Sequence, residues 1–187
     1  DDPELLGWNL VIATISDILA VGADPAWYLQ VVSVPDNRPE TFCRDLMRGV
    51  ASALEASGAY LIGGDLSRAP DWRYVGNAVG FCKSPPLLRK ARVEKLHLYA
   101  SGPFGIGNLS FVAPGFPLKF SSRKDLMVRL RDYVSLAMDS SDGLRNTLLT
   151  LLRVNPEHSI IANADGGTVH PDVLDFCAKN RLPPEAF

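Results

Sequence analysis

The sequence predicts an α+β protein in which helices cover one face of a sheet. Two observations predict it. Residues 26–34 (AWYLQVVSV) and 72–82 (WRYVGNAVGFC) are rich in β-branched and aromatic residues, the pattern of strands. Between them lies an amphipathic helical pattern at 39–57, followed by a short apolar run at 60–62, so that 26–82 reads strand, helix, strand, strand. A third observation sets the scale. The chain has 187 residues, 47% hydrophobic and 21% charged, a globular balance sufficient for a real core in one large domain or two small ones.

Composition narrows the function classes. A net charge of −2 and a pI near 5.9 provide no basic footprint for nucleic acid. An acidic balance still admits an anionic substrate, because bound Mg²⁺ inverts the local charge. Cys43, Cys82 and Cys177 are odd in number, far apart and outside any CxxC pattern, as expected of reduced packing cysteines in a cytoplasmic protein. No signal peptide is visible. The apolar run near the start is interrupted by Ser16 and Asp17, which argues against a membrane span. The chain begins at Asp1 without a Met, and a preceding segment is expected.

The elements follow in order. Residues 4–22 read as a buried helix, with Leu5, Leu6, Trp8, Leu10, Ile12, Ile15, Ile18, Leu19 and Val21 apolar nearly all round and Gly22 as its stop. Asp17 interrupts it. A buried carboxylate is costly unless paired or bound to metal, so Asp17 either serves a ligand or faces solvent. Pro35-Asp36-Asn37 is turn chemistry. In the next helix Phe42, Leu46, Val50 and Leu54 recur every four residues, and Gly58 ends it. Tyr60-Leu61-Ile62 runs as a strand into Gly63-Gly64-Asp65. Glycines there permit close backbone approach to a ligand and Asp65 is placed for metal or phosphate, although a plain Gly-Asp turn has the same signature. Gly76 and Gly80 mark possible bulges in the strand at 72–82.

A proline-bearing basic stretch at 83–92 (KSPPLLRKAR) marks a domain boundary, with domains at 1–85 and 86–187. Arg89, Lys90 and Arg92 either meet phosphates or form solvated surface. A strand is expected at 96–100, with His97 alternating along it as a structural residue, and then a glycine-rich turn at 101–107 whose spacing matches neither phosphate-loop nor dinucleotide patterns. Residues 108–121, with Pro114, Gly115 and Pro117, read as an irregular loop. Helices are expected at 122–137, about 142–153 and 170–179, the last with Pro171 in its first turn, and a strand at 159–162. His97, His158 and His170 have no metal-ligand spacing, and no catalytic nucleophile or Ser-His-Asp arrangement can be argued.

The most informative stretch is Met138-Asp139-Ser140-Ser141-Asp142-Gly143-Leu144, at the opening of a helix. Two carboxylates three residues apart at a helix N-terminus suit a hard cation with phosphate oxygens, and they also suit an N-cap.

Three segments together resemble a known family. Thr14-Ile15-Ser16-Asp17-Ile18-Leu19-Ala20-Val21-Gly22-Ala23-Asp24-Pro25 resembles the helix motif of thiamine-monophosphate kinases. Leu61-Ile62-Gly63-Gly64-Asp65-Leu66-Ser67-Arg68 resembles their Gly-Gly-Asp-Thr segment, and 138–144 their Asp-x-Ser-Asp-Gly-Leu segment. The kinases share a superfamily with aminoimidazole ribonucleotide synthetase, selenophosphate synthetase and the hydrogenase maturation dehydratase. Gly-Gly-Asp is similar to the kinase branch, since the synthetase branch usually carries Glu there. The resemblance implies an aminoimidazole ribonucleotide synthetase-like fold, with an N-terminal α+β sheet domain that pairs into a dimeric barrel and a partial α/β C-terminal domain. It implies a homodimer that holds ATP across the interface and moves its γ-phosphate to thiamine monophosphate, with no membrane or nucleic-acid partner. Asp17, Asp65, Asp139 and Asp142 would bind Mg²⁺. Gly64, Asp65, Arg89 and Ser141 would contact ATP. No residue would act as a covalent catalyst, because such chemistry is mostly positioning and charge neutralisation.

The family's Gly-Asp-Asp and Thr-Asp segments and its Gly-Gly-Glu-Asp-Tyr-Glu segment are not in this sequence, Thr14 stands where Asn is usual, and the 102–107 turn and 108–121 loop depart from the kinase pattern. The sequence therefore resembles a family core without its two end segments. Two other readings stay open: a superfamily relative that uses ATP to activate another acceptor, and a non-catalytic nucleotide-binding dimerisation module.

Overall fold

A computed structural model describes residues 2–113, 115–161 and 167–184. The chain divides into two compact units. The first is Asp1–Leu88 with Lys119–Asp139, and the second is Arg89–Leu118 with Ser140–Phe187. The first unit thus takes back a segment that sequence alone places beyond the boundary at 85.

In the first unit, helix α1 (Pro3–Ala20) starts where the Asp2 carboxylate accepts from the Glu4 and Leu5 N–H groups and Pro3 opens the first turn. By length and composition alone α1 could cross a membrane. Here one face is buried, through Gly7, Val11, Ile12, Ile15 and Leu19, while Leu5, Leu6, Trp8, Leu10 and Ile18 are half-buried, so the burial expected nearly all round is confined to one side. Strand β1 (Asp24–Pro35) follows, then helix α2 (Glu40–Ser57), which ends on Gly58 in the left-handed conformation (φ 69°). Strands β2 (Tyr60–Ala69) and β3 (Arg73–Phe81) complete a sheet in the order β2-β1-β3, with β2 parallel and β3 antiparallel to β1. Tyr28, Val32 and Val34 of β1 are buried on the face covered by the helices, packed with Val11, Val50, Leu46 and Phe42. The α+β expectation from residues 26–82 is met.

Glycine lets these layers approach. A side-chain carbon at Gly7 would run into the Leu46 carbonyl, and one at Gly49 into the Glu4 carbonyl, so α1 and α2 touch backbone to backbone. Gly76 is not a bulge. It pairs in register with Gln30, and the space above it is taken by the hydroxyls of Thr14, Tyr28 and Tyr74. The irregularity near Gly80 lies on β1, where Ala26 is the extra residue. Residues 63–65 are not a turn either: β2 continues through them to Ala69, because each finds a partner on β1, and the bulge falls at Ile62.

Of Lys119–Asp139, the expected helix at 122–137 is shorter. Helix α4 (Lys124–Leu130) passes into one 3₁₀ turn, Arg131–Tyr133. Beyond it the backbone exchanges intrahelical partners for the earlier chain, the Ala137 N–H donating to the Leu88 carbonyl at 3.2 Å. The Trp8 indole N–H donates to the Phe120 carbonyl at 2.7 Å and Lys119 lies over the Trp8 ring, which fastens this segment to α1.

The second unit holds helices α3 (Ile106–Val112), α5 (Gly143–Val154) and α6 (Pro171–Asn180). Its core is Leu109, Val173 and Cys177. Helix α3 occupies part of the expected loop at 108–121, of which Pro114 lies outside the described residues. No strand forms at 96–100 or at 159–161, and Ala162 lies outside the described residues. These apolar runs lack an adjacent ladder: among the described residues the unit's β pairing is the single Phe104–Val169 bridge. His97 is therefore not a strand residue. α6 starts as expected, with Pro171 in its first turn and the His170 ring accepting from the Asp172 N–H.

Candidate nucleotide and metal site

The acidic residues singled out in the sequence occupy different kinds of backbone. In the first unit Asp17 is exposed on α1, one turn from the C-terminal end of the helix. Gly64 and Asp65 lie on β2 opposite Gln30 and Val31. Gly64 has φ 140°, a conformation that favours glycine, and a side-chain carbon there would strike the Gln30 carbonyl. That conformation carries the chain to Asp65, which is exposed. Among the described residues no hydrogen bond or ion pair engages the Asp65 carboxylate. Asp139, half-buried, closes the unit.

The second unit holds Arg89, Ser141 and Asp142. Asp142 stands at the N-cap of α5, yet its side chain makes no capping hydrogen bond. The opening of α5 is braced otherwise. Thr147 donates to the Gly143 carbonyl at 2.9 Å, the Ser140 and Thr147 hydroxyls lie 2.8 Å apart, and Asn146 donates to the Asp142 carbonyl at 3.2 Å. Gly143, at φ 85° with open space where a side chain would begin, turns the backbone into the helix. Of the two roles open for Asp142, capping by its side chain is not the one adopted.

Among the described residues no three His, Cys, Asp or Glu side chains gather as a preformed cage. The donors present are carboxylate oxygens held singly. That set suits Mg²⁺, which takes one or two carboxylates and fills its octahedron with phosphate oxygens and water.

Asp24, inside the first motif, is committed elsewhere. Its carboxylate pairs with Lys83 at 3.1 Å and Arg131 at 3.0 Å. Partial burial pushes its pKa up, but the Lys83 hydrogen bond and the Arg131 and Lys83 charges outweigh this and hold it below the usual carboxylate range. Burial raises the pKa of the Tyr74 phenol, which sits against Tyr28 and donates to the Leu10 carbonyl at 3.2 Å.

Three buried polar residues, Gln30, Ser57 and Asn155, were not singled out from the sequence. Gln30, 4% exposed, donates to the Met47 sulfur at 3.3 Å, while its Oε1 has no partner among the described residues. Asn155, 5% exposed, caps α5. The lone amide in an otherwise apolar strand was the available signal for Gln30. Asn155 directly after a helical pattern reads only as a stop.

Residues 1–82 match the family model described as AIR synthase related protein, N-terminal domain. A thiamine-monophosphate kinase of Synechococcus elongatus is 26% identical over 183 residues, 85% of this chain and 56% of that protein. A phosphoribosylformylglycinamidine cyclo-ligase of Streptococcus pyogenes is 31% identical over 101 residues, 51% of this chain and 29% of that protein. The chain therefore spans little more than half the length of the kinase, and less of the ligase. The crystal structure of thiamine monophosphate kinase from Aquifex aeolicus superposes with a TM-score of 0.76 at 21% identity, over 98% of this chain and 67% of that one. AaThiL complexed with AMPPCP and TMP superposes with a TM-score of 0.75 at 20% identity, over 98% and 64%. At these identities the solved structures establish the fold, and the fold alone.

Proposed function

We propose that the chain, whose residues 1–82 match the model described as AIR synthase related protein, N-terminal domain, belongs to an ATP- and Mg²⁺-dependent phosphotransferase that converts thiamine monophosphate to thiamine diphosphate. The observation that carries this reading is the Asp65 carboxylate, exposed on β2 and engaged by no described residue, beside a glycine with no room for a side chain. Similarity to a thiamine-monophosphate kinase over 85% of the chain supports the same reaction. The AMPPCP and TMP bound in the AaThiL complex support ATP and thiamine monophosphate as the reactants.

In this reading Asp17, Asp65, Asp139 and Asp142 hold Mg²⁺. A metal held there would supply positive charge to offset the charge that develops during transfer. Gly64 would let the β2 backbone approach the nucleotide, and Asp65 would be one of the carboxylates that hold the metal. Arg89 supplies a planar cationic donor set for a phosphate, and the Ser141 hydroxyl donates to another. No covalent nucleophile is required: an oxygen of the acceptor phosphate would bond to the γ-phosphorus as the bond from that phosphorus to the β–γ bridging oxygen breaks and ADP leaves.

The exposed face of the sheet supports a homodimer. Trp27, Val31, Tyr60, Val75, Val79 and Phe81 are each more than 40% exposed. Val31 pairs with Val75 and Trp27 with Val79, so these side chains form one apolar face, and Asp65 stands in register with Val31. A second copy over this face would place the Asp65 carboxylate beside the interface.

The test is thiamine diphosphate formation from ATP and thiamine monophosphate, with calorimetric titration of Mg-ATP alongside. Asp65→Asn and Asp139→Asn are each expected to lower Mg-ATP affinity at least tenfold, a loss of about 1.4 kcal/mol, with unchanged circular dichroism. Retained affinity in both would sink the assignment. Mg-ATP binding without thiamine diphosphate would direct attention to another acceptor.

A further inference from the structure

The turn that ends α5 grips one short piece of backbone. Asn155 is buried, and every polar atom of its side chain is used. Its Oδ1 accepts from the Ala91 N–H at 2.7 Å. Its Nδ2 donates to the Arg89 carbonyl at 2.9 Å and to the Leu151 carbonyl at 2.8 Å. By taking the C=O of one residue and the N–H of the residue two further on, the amide imitates a neighbouring strand and fixes the backbone between them. Neighbouring contacts extend the grip. Lys90 donates to the Val154 carbonyl at 3.1 Å and to Glu157 at 2.7 Å, and the His158 Nε2 lies 2.9 Å from the Val93 carbonyl.

These contacts differ in weight. The Lys90–Glu157 pair is exposed and screened by water, although the Lys90 hydrogen bond holds the Glu157 pKa low. The Asn155 amide is sealed from water, so losing either backbone partner would leave a buried polar group unsatisfied. Asn155 is therefore a buried anchor for residues 89–91.

We infer that Asn155 is a positioning residue for nucleotide binding: it holds the Arg89 backbone so that the guanidinium starts from one fixed point. The inference rests on the reading that brings Arg89 to the nucleotide. Arg89 has a long side chain with several rotatable bonds, and anchoring its backbone removes one source of that freedom before ligand arrives. Asn155 itself touches no substrate.

A double-mutant cycle on the full chain tests this, with Mg-ATP dissociation constants measured by calorimetry. Asn155→Asp keeps the shape and the acceptor for Ala91 but removes both Nδ2 donations. Asn155→Ser replaces it if the aspartate variant loses the wild-type circular dichroism spectrum. Arg89→Ala is expected to weaken Mg-ATP about tenfold, and Asn155→Asp about fivefold, each within the range of a single contact. The double variant is expected to match Arg89→Ala within about twofold, because the anchor has no value once the guanidinium is gone. Losses that multiply, or wild-type affinity in the Asn155 variant, overturn the inference while leaving the nucleotide reading intact. Wild-type affinity in Arg89→Ala, with Asp65→Asn still impaired, overturns the inference and removes Arg89 alone from the site. No Mg-ATP binding by the parent chain overturns both.

Discussion

Asp24 and Asp65 show how one residue type takes opposite roles. Asp24 is enclosed by two cations, and its depressed pKa is a statement about stability. An unfolded Asp titrates near 3.9, so the contribution of this group is present above about pH 4 and lost as pH falls through the lower folded value. Its side chain is 33% exposed, so solvent screening keeps the benefit small. Asp24→Asn is expected to cost about 1 kcal/mol at pH 7 and to flatten the acid arm of the stability profile, read from urea midpoints between pH 7 and 3. An acid arm as steep as the parent's would show that other carboxylates dominate. Asp65 has no such partners among the described residues, and on the proposed reading its carboxylate is kept for the metal.

At the scale of elements, glycine decides how closely helices and strands meet. The α1–α2 contact depends on Gly7 and Gly49, each against a carbonyl of the opposite helix. Gly49→Ala would force the two axes apart and is expected to cost about 1–3 kcal/mol by denaturant unfolding, the range of overpacked sites. Gly107→Ala is the contrast. It lies in α3, nothing occupies the space around it, and removing a helical glycine should be neutral or gain up to about 1 kcal/mol. Equal losses in the two variants would mean that the α1–α2 approach is looser than these positions indicate. The strand patterns at 96–100 and 159–161 teach the complementary lesson. A β-rich composition produces a strand only where a ladder partner lies alongside.

At the scale of the whole molecule, the first unit presents an apolar sheet face and the second a smaller helical core. On the homodimer reading, Val31→Glu sets a charge amid the exposed face and beside Asp65, and should shift the sedimentation coefficient from dimer to monomer. A parent chain that already sediments as a monomer at micromolar concentration would remove the dimer and leave the exposed face unexplained. Of the residues proposed to bind nucleotide or metal, Asp17, Gly64, Asp65 and Asp139 belong to the first unit and Arg89, Ser141 and Asp142 to the second.

Much of the first unit was legible in the residues themselves. Its helices and strands follow from strong periodicity and end signals, because local propensity and burial agree there. The three acidic motifs were legible only as a resemblance, because Asp beside Gly or Ser serves turns and helix caps as readily as a metal or a phosphate. Tertiary structure alone decided that β2 runs through Gly63-Gly64-Asp65, that Gly76 makes room for hydroxyls rather than a bulge, and that Lys119–Asp139 returns to the first unit. It alone tied Asn155 to Arg89 across 66 positions. The physical reason is common to all four. A backbone hydrogen bond or a close approach depends on which distant segment lies opposite, and sequence periodicity carries no record of that neighbour.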